Sequence, residues 1–148
     1  MSVTDASESP GAPAGPGFNG ASAVHVHMTN TRLTDPEILE LRYPLQLIRF
    51  EIRRASGGAG RWPGGDGVIR EVLFKEAMEV NVLTQHRVEA PYGLAGGTAG
   101  KTGQQQLITV HGKEVLLAGM DSIQVQPGDR IVIRTPGGGG YGQQKTPE

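Results

Sequence analysis

His25 and His27 stand two residues apart in the alternating run Val24-His25-Val26-His27-Met28, so on an extended strand their imidazoles share a face and begin a metal site. Two ligands do not complete one. Asp35, Asp66, His86, His111 and Asp129 are the residues that could join them in space, but no second ligand pair stands at a recognised spacing. Structural or substrate hydrogen bonding therefore stays open beside the metal role, and His86 and His111 read as surface or turn residues. Arg61 and Asp66 flank the middle of Ser56–Gly67, where six glycines surround the only Trp. Arg61 suits a carboxylate and Asp66 an amide, with an ion pair across the loop as the alternative. The segment Ala95–Thr102 ends in Gly100-Lys101-Thr102, the phosphate-gripping end of a P-loop. A P-loop needs Gly where Ala95 stands, a buried strand before and a helix after, and Gln104–Val110 reads as a strand. A mobile glycine loop is expected there instead. No serine nucleophile elbow and no paired-carboxylate motif is visible.

Composition narrows the chemistry further. The 148 residues carry 14 Lys+Arg against 15 Asp+Glu, a net charge of -1, without a basic cluster. Nucleic acid and membrane surfaces are thus not expected partners. The absence of Cys excludes disulfides, thiolate zinc sites, iron–sulfur clusters and cysteine nucleophiles, and fits a reducing compartment. No apolar run approaches the ~20 residues needed to cross a bilayer. The first twenty residues carry Asp5 and Glu8 but no Lys or Arg, unlike a secretory signal. The expectation is one soluble domain in the cytoplasm.

The elements that must position these residues follow from periodicity. Residues 1–23, rich in Pro, Gly, Ser and Ala, read as a flexible lead-in, residues 24–142 as the folded unit, and 143–148 as a tail. Thr34-Asp35-Pro36-Glu37 has the layout of a helix start, with Thr34 as cap and Glu37 reaching back, and Tyr43-Pro44 ends a helix over 35–42. In Ile48-Arg49-Phe50-Glu51-Ile52-Arg53 the apolar side chains alternate, which predicts a strand with one face in a core. Val68–Phe74 and Val80–Thr84 repeat the pattern around a turn or bulge. Leu107–Val110 and Glu114–Leu117 flank His111-Gly112-Lys113, a primed hairpin turn, while Ile123–Val125 and Ile131–Ile133 flank Pro127-Gly128-Asp129, a type II turn. The glycines of 56–67 demand positive φ or a close neighbour, and Thr135–Gly142 is either a second contact loop or a flexible tail. The predicted fold is mainly β, an antiparallel strand-rich module with one short helix and glycine-rich loops.

Five blocks in order carry a resemblance: His25–Thr31, Thr34–Glu40, Ser56–Gly67, Pro91–Gly97, and Pro127-Gly128-Asp129 followed by Thr135–Gly142. Together they resemble the hydantoinase B/5-oxoprolinase family over about residues 15–142, and Thr34–Glu40 looks most like the ATP-dependent 5-oxoprolinases. Family members are several times longer, so the chain looks like their C-terminal end alone. The resemblance implies that an actin-like half phosphorylates the lactam and a hydantoinase B half opens the ring, converting 5-oxo-L-proline to L-glutamate with Mg and ATP. It places the catalytic candidates at His27, Asn30 and Asp66, substrate contacts at Arg61 and Thr31, and metal ligation at His25 and His27. For the chain alone no cofactor and no activity are expected. The expected partners are the missing hydantoinase A-like and hydantoinase B-like regions or subunits, with self-association as a further expectation. The competing reading is a non-catalytic binding or assembly module that docks onto larger subunits.

Overall fold

The computed structural model describes residues 2–4, 11–22, 44–83, 89–118 and 120–144. The predicted strand at 24–28, the helix over 35–42 and His86 lie outside them. No helix occurs among the described residues, which form eight strands: β1 (Ser2–Thr4), β2 (Leu45–Arg53), β3 (Gly67–Phe74), β4 (Met78–Leu83), β5 (Gln104–Ile108), β6 (Glu114–Leu117), β7 (Met120–Val125) and β8 (Arg130–Arg134). A five-stranded antiparallel sheet runs β2-β3-β8-β5-β6, and a three-stranded sheet runs β1-β4-β7 with β1 parallel to β4.

The core lies where the two sheets meet. Leu45, Val72, Phe74, Leu107, Leu117, Ile131 and Ile133 come from the first sheet and Val80, Val82 and Val125 from the second. Cross-strand pairs explain the selection, since Val72 opposes Ile131, Leu107 opposes Ile131 and Leu45 opposes Phe74, all on one face. On the opposite face Glu71, nearly buried, sits between two cations, with Arg130 NH1 at 2.8 Å and Arg49 Nε at 3.5 Å.

Two turns show what glycine supplies. Gly112 has φ +83° and donates to the Thr109 carbonyl within the five-residue connection 109–113 between β5 and β6, two residues longer than the predicted His111-Gly112-Lys113 turn. Gly128 has φ +93° and Asp129 N donates to Gln126 O, as a type II turn requires. That turn does not make a hairpin, because β7 and β8 belong to different sheets. It hands the chain from one layer to the other.

Strand β2 departs from its sequence pattern. The alternation places Ile48, Phe50 and Ile52 in a core, yet they are 46%, 44% and 46% exposed, and the strand's buried residue is Leu45. The strand carries a bulge: Leu47 opposes Val72 and Arg49 opposes Glu71, leaving Ile48 as the extra residue. Past the bulge Phe50 and Ile52 face the same way as Arg70 and Val68, but outside the core cluster.

Candidate functional site

The glycine-rich segments form one body. Residues 136–142 run through its middle, and successive backbone groups bond to different neighbours. Gly137 donates to Lys101 O (3.1 Å), Gly138 to Gly65 O (2.9 Å), Gly140 to Thr98 O (3.0 Å) and Gly142 to Leu94 O (2.9 Å). Inward come Gly11 to Pro136 O (3.0 Å), Gly58 to Gly138 O (2.8 Å) and Ala14 to Gly139 O (2.9 Å). A ribbon pairs with two neighbours in one plane, whereas an extended chain with three residues per turn points its amides outward in several directions. Buried amides without internal partners must find external ones, and here the ring of neighbours supplies them.

This packing explains the glycines. None of Gly137–Gly140 has positive φ, so conformational freedom is not what selects them. A Cβ on any of the four would lie less than 3.0 Å from a neighbouring carbonyl oxygen, those of Ser56, Ala12, Tyr92 and Ala59 in turn. Thr135–Gly142 is therefore a buried contact segment, not a flexible tail. Within residues 11–22, which composition places in a flexible lead-in, Ala12 N donates to Ala21 O and Gly20 N to Pro63 O, and Gly11, Ala14 and Gly15 are buried.

Of the sequence-predicted site residues, Arg61 and Asp66 are described, and His25, His27, Asn30 and Thr31 lie outside the described residues. The structure does not join Arg61 to Asp66 in an ion pair. Asp66 turns back on its own loop. Its Oδ1 accepts from Ser56 N (2.9 Å) and Gly57 N (2.8 Å), and its Oδ2 from Ala55 N (3.3 Å). Ala55, at φ 60°, sets the bend that aims these three amides at one carboxylate. Asp66 N in turn donates to Ser22 Oγ (2.8 Å). Arg61 is exposed and lies over the Trp62 ring, Cζ 4.6 Å from its centroid. Trp62 and Tyr141 exchange backbone hydrogen bonds (2.9 Å each), with ring centroids 5.8 Å apart. Arg61, Trp62 and Tyr141 thus bring one cation and two aromatic rings together on hydrogen-bonded backbone.

The Gly100-Lys101-Thr102 loop is fixed, not mobile as expected. Gly97 N bonds to Leu94 O, Thr98 N to Ala59 O, Gly100 N to Pro91 O and Lys101 N to Ser56 O, and β5 follows. With those amides engaged the described residues do not fit a nucleotide phosphate. Among the described residues no group of three or more His or acidic side chains is placed to hold a metal. Asp129, a sequence candidate for such a group, accepts from Val110 N (2.9 Å) and Gln126 N (2.8 Å) and so ties the type II turn to the β5–β6 hairpin.

Sequence reasoning missed the side chains that bind this body to the five-stranded sheet. Arg53 NH1 donates to Thr102 O (2.8 Å) and Thr135 O (2.9 Å). Ser56 Oγ donates to Arg53 O (2.7 Å) and accepts from Gly67 N (2.9 Å), and Thr135 Oγ1 accepts from Val68 N (2.7 Å). Their signal was positional, because Ser56 stands immediately before one glycine run, Thr135 one proline before another, and Arg53 at the end of β2.

The hydantoinase B/oxoprolinase family model matches residues 4–144. The chain is 48% identical over 132 residues to 5-oxoprolinase 1 of Arabidopsis thaliana, covering 89% of this chain and 10% of that protein. To the 5-oxoprolinase of Dictyostelium discoideum it is 45% identical over 134 residues, covering 90% and 11%. Among solved structures, the ATP-dependent caprolactamase from Pseudomonas jessenii superposes with a TM-score of 0.74 at 26% identity, over 91% of this chain and 24% of the other. The chain thus spans about a tenth of the length of the curated relatives it matches. With the family model covering almost its whole length, the chain belongs to the hydantoinase B/oxoprolinase family.

Proposed function

We propose that the chain supplies the C-terminal scaffold of a 5-oxoprolinase-like amidohydrolase, whose complete form opens 5-oxo-L-proline to L-glutamate at the expense of ATP, and that it is inactive alone. The observation that carries this reading is where the polar side chains point. Asp66, Asp129, Arg53, Ser56 and Thr135 are each engaged with backbone groups, as in a framework that holds other residues in place. Support for the substrate comes from the relatives at 45–48% identity, which are 5-oxoprolinases. Support for a lactam in general comes from the caprolactamase. No step of nucleotide chemistry is assigned to this chain.

Within the complete enzyme the proposed chemistry lies with His25–Thr31. His27 and Asn30 orient water and stabilise developing charge, Thr31 contacts substrate, and His25 joins His27 if a metal is held. In sequence this segment follows Ser22, whose Oγ accepts from Asp66 N. Asp66 therefore serves by fixing the loop, and Arg61, exposed on that loop, is the cation available to a substrate carboxylate.

The test combines the purified chain with Arabidopsis 5-oxoprolinase 1 lacking its matched segment, and measures glutamate and ADP from 5-oxoproline, Mg²⁺ and ATP. The chain alone should yield neither above a blank, the mixture should yield both, and His27→Ala should lower turnover. Glutamate formed by the chain alone would overturn the reading, and unchanged turnover in His27→Ala would remove His27.

A further inference from the structure

We infer that Ile48, Phe50 and Ile52 form the docking face on which the remaining hydantoinase B-type polypeptide seats an apolar surface of its own. The inference rests on the proposed function, and it names the partner surface that reading requires. Three observations meet here. The side chains alternate as in a strand built for burial, yet each is nearly half exposed while Leu45, on the same strand, is almost fully buried. The bulge at Ile48 turns Phe50 and Ile52 onto the face shared with Val68, whose own side chain is buried, so the open apolar surface adjoins an already dry one. Finally, β2 is an edge strand whose sole neighbour among the described strands is β3.

The occupant follows from proportion. In the caprolactamase this fold accounts for 24% of the chain, and in the Arabidopsis relative for 10%, so most of each polypeptide lies outside it. A face patterned for burial on a piece of that size matches the surface of the remainder. Its chemistry is aliphatic and aromatic, as the three side chains are.

The experiment measures binding of the purified chain to Arabidopsis 5-oxoprolinase 1 lacking its matched segment, by isothermal titration and by sedimentation. The expected result is a one-to-one complex weakened at least tenfold by the double variant Phe50→Lys, Ile52→Lys, and unaffected by Leu116→Lys, an exposed apolar site on β6. Circular dichroism checks that the variants keep their strands, and Phe50→Ser carries the test if the double variant loses them. Undiminished binding of the folded variants, absence of binding by the folded wild type, or a wild-type homodimer that the variants abolish would each overturn the inference. A complex that forms as expected but makes no glutamate defeats the proposed function and leaves the docking face standing.

Discussion

Replacing Gly138 by Ala tests the account of the glycine body most directly. At a position with compatible φ, Gly→Ala stabilises by about 0.4–1 kcal/mol through the unfolded chain. Gly138 has no positive φ, so this gain applies. Against it stands the Ala12 backbone, which the new methyl would meet at a separation Cβ atoms do not adopt. Forcing the segments apart costs about 1–3 kcal/mol as overpacking. It also stretches the bonds from Gly138 N to Gly65 O and from Gly58 N to Gly138 O, each worth about 1 kcal/mol net. The balance is a loss of about 3 kcal/mol, or a fall of about 10 °C in Tm for a chain of this length. Trp62, the sole Trp, packs against Tyr141 in the same body, so its fluorescence during urea unfolding reports the transition where it matters. Gly112→Ala is the control, with open space around it and only its φ of +83° to strain, a cost of about 1–2 kcal/mol. Gly138→Ala proving no more harmful than Gly112→Ala would refute close backbone packing as the reason for the glycines.

Three further outcomes follow from the geometry. Asp129→Ala should lower stability by about 2–3 kcal/mol, since two N–H groups lose a charged acceptor, and hydrogen exchange should quicken at Val110 and Gln126. Asp66→Asn should cost about 2 kcal/mol in a urea titration, because the amide keeps one acceptor oxygen and turns its NH₂ toward donors of the 55–57 loop. Glu71→Gln should cost only about 1 kcal/mol by thermal melting, and less in high salt, because the arginines on either side are 40% and 41% exposed.

Strands β2 to β8 were legible because side-chain alternation is written in the sequence, and so were both turn glycines, Gly112 and Gly128, whereas β1 falls in the stretch read as a flexible lead-in. Sheet membership was not. The Pro127-Gly128-Asp129 turn looks the same whether its strands pair or part, and only the burial of Val125 against Val80, across β7 and β4, shows that they part. On β2 the alternation was right about the face of Phe50 and Ile52, which oppose Arg70 and Val68 on the side of Val72, but not about their burial, because they lie outside the core cluster and no local signal marks where that cluster ends. The glycine body escaped for a deeper reason. Periodicity is a property of side chains, and segments such as 137–140 have none to alternate, while their partners at 12, 59, 65, 92 and 98 are scattered along the chain. For the candidate site, Arg61 and Asp66 were found as polar groups in a glycine setting, but the three amides that Asp66 gathers arise from the bend at Ala55, which sequence does not announce.

The position of residues 136–142 has a bearing on how the chain matures. This segment lies among neighbours at 11–14, 58–65 and 91–101, all of which precede it in sequence. During synthesis those neighbours emerge first and cannot bond to a strand that does not yet exist, so their carbonyls and amides stay hydrated until the last one arrives. The sheets, with partners nearer in sequence such as β2–β3 and β5–β6, can form earlier. Long-range closure of this kind is slow. A ribosome pause or a cleavage just before residue 136 would therefore leave a molecule with its hairpins in place and its glycine segments open, ready to capture any extended glycine strand supplied from outside.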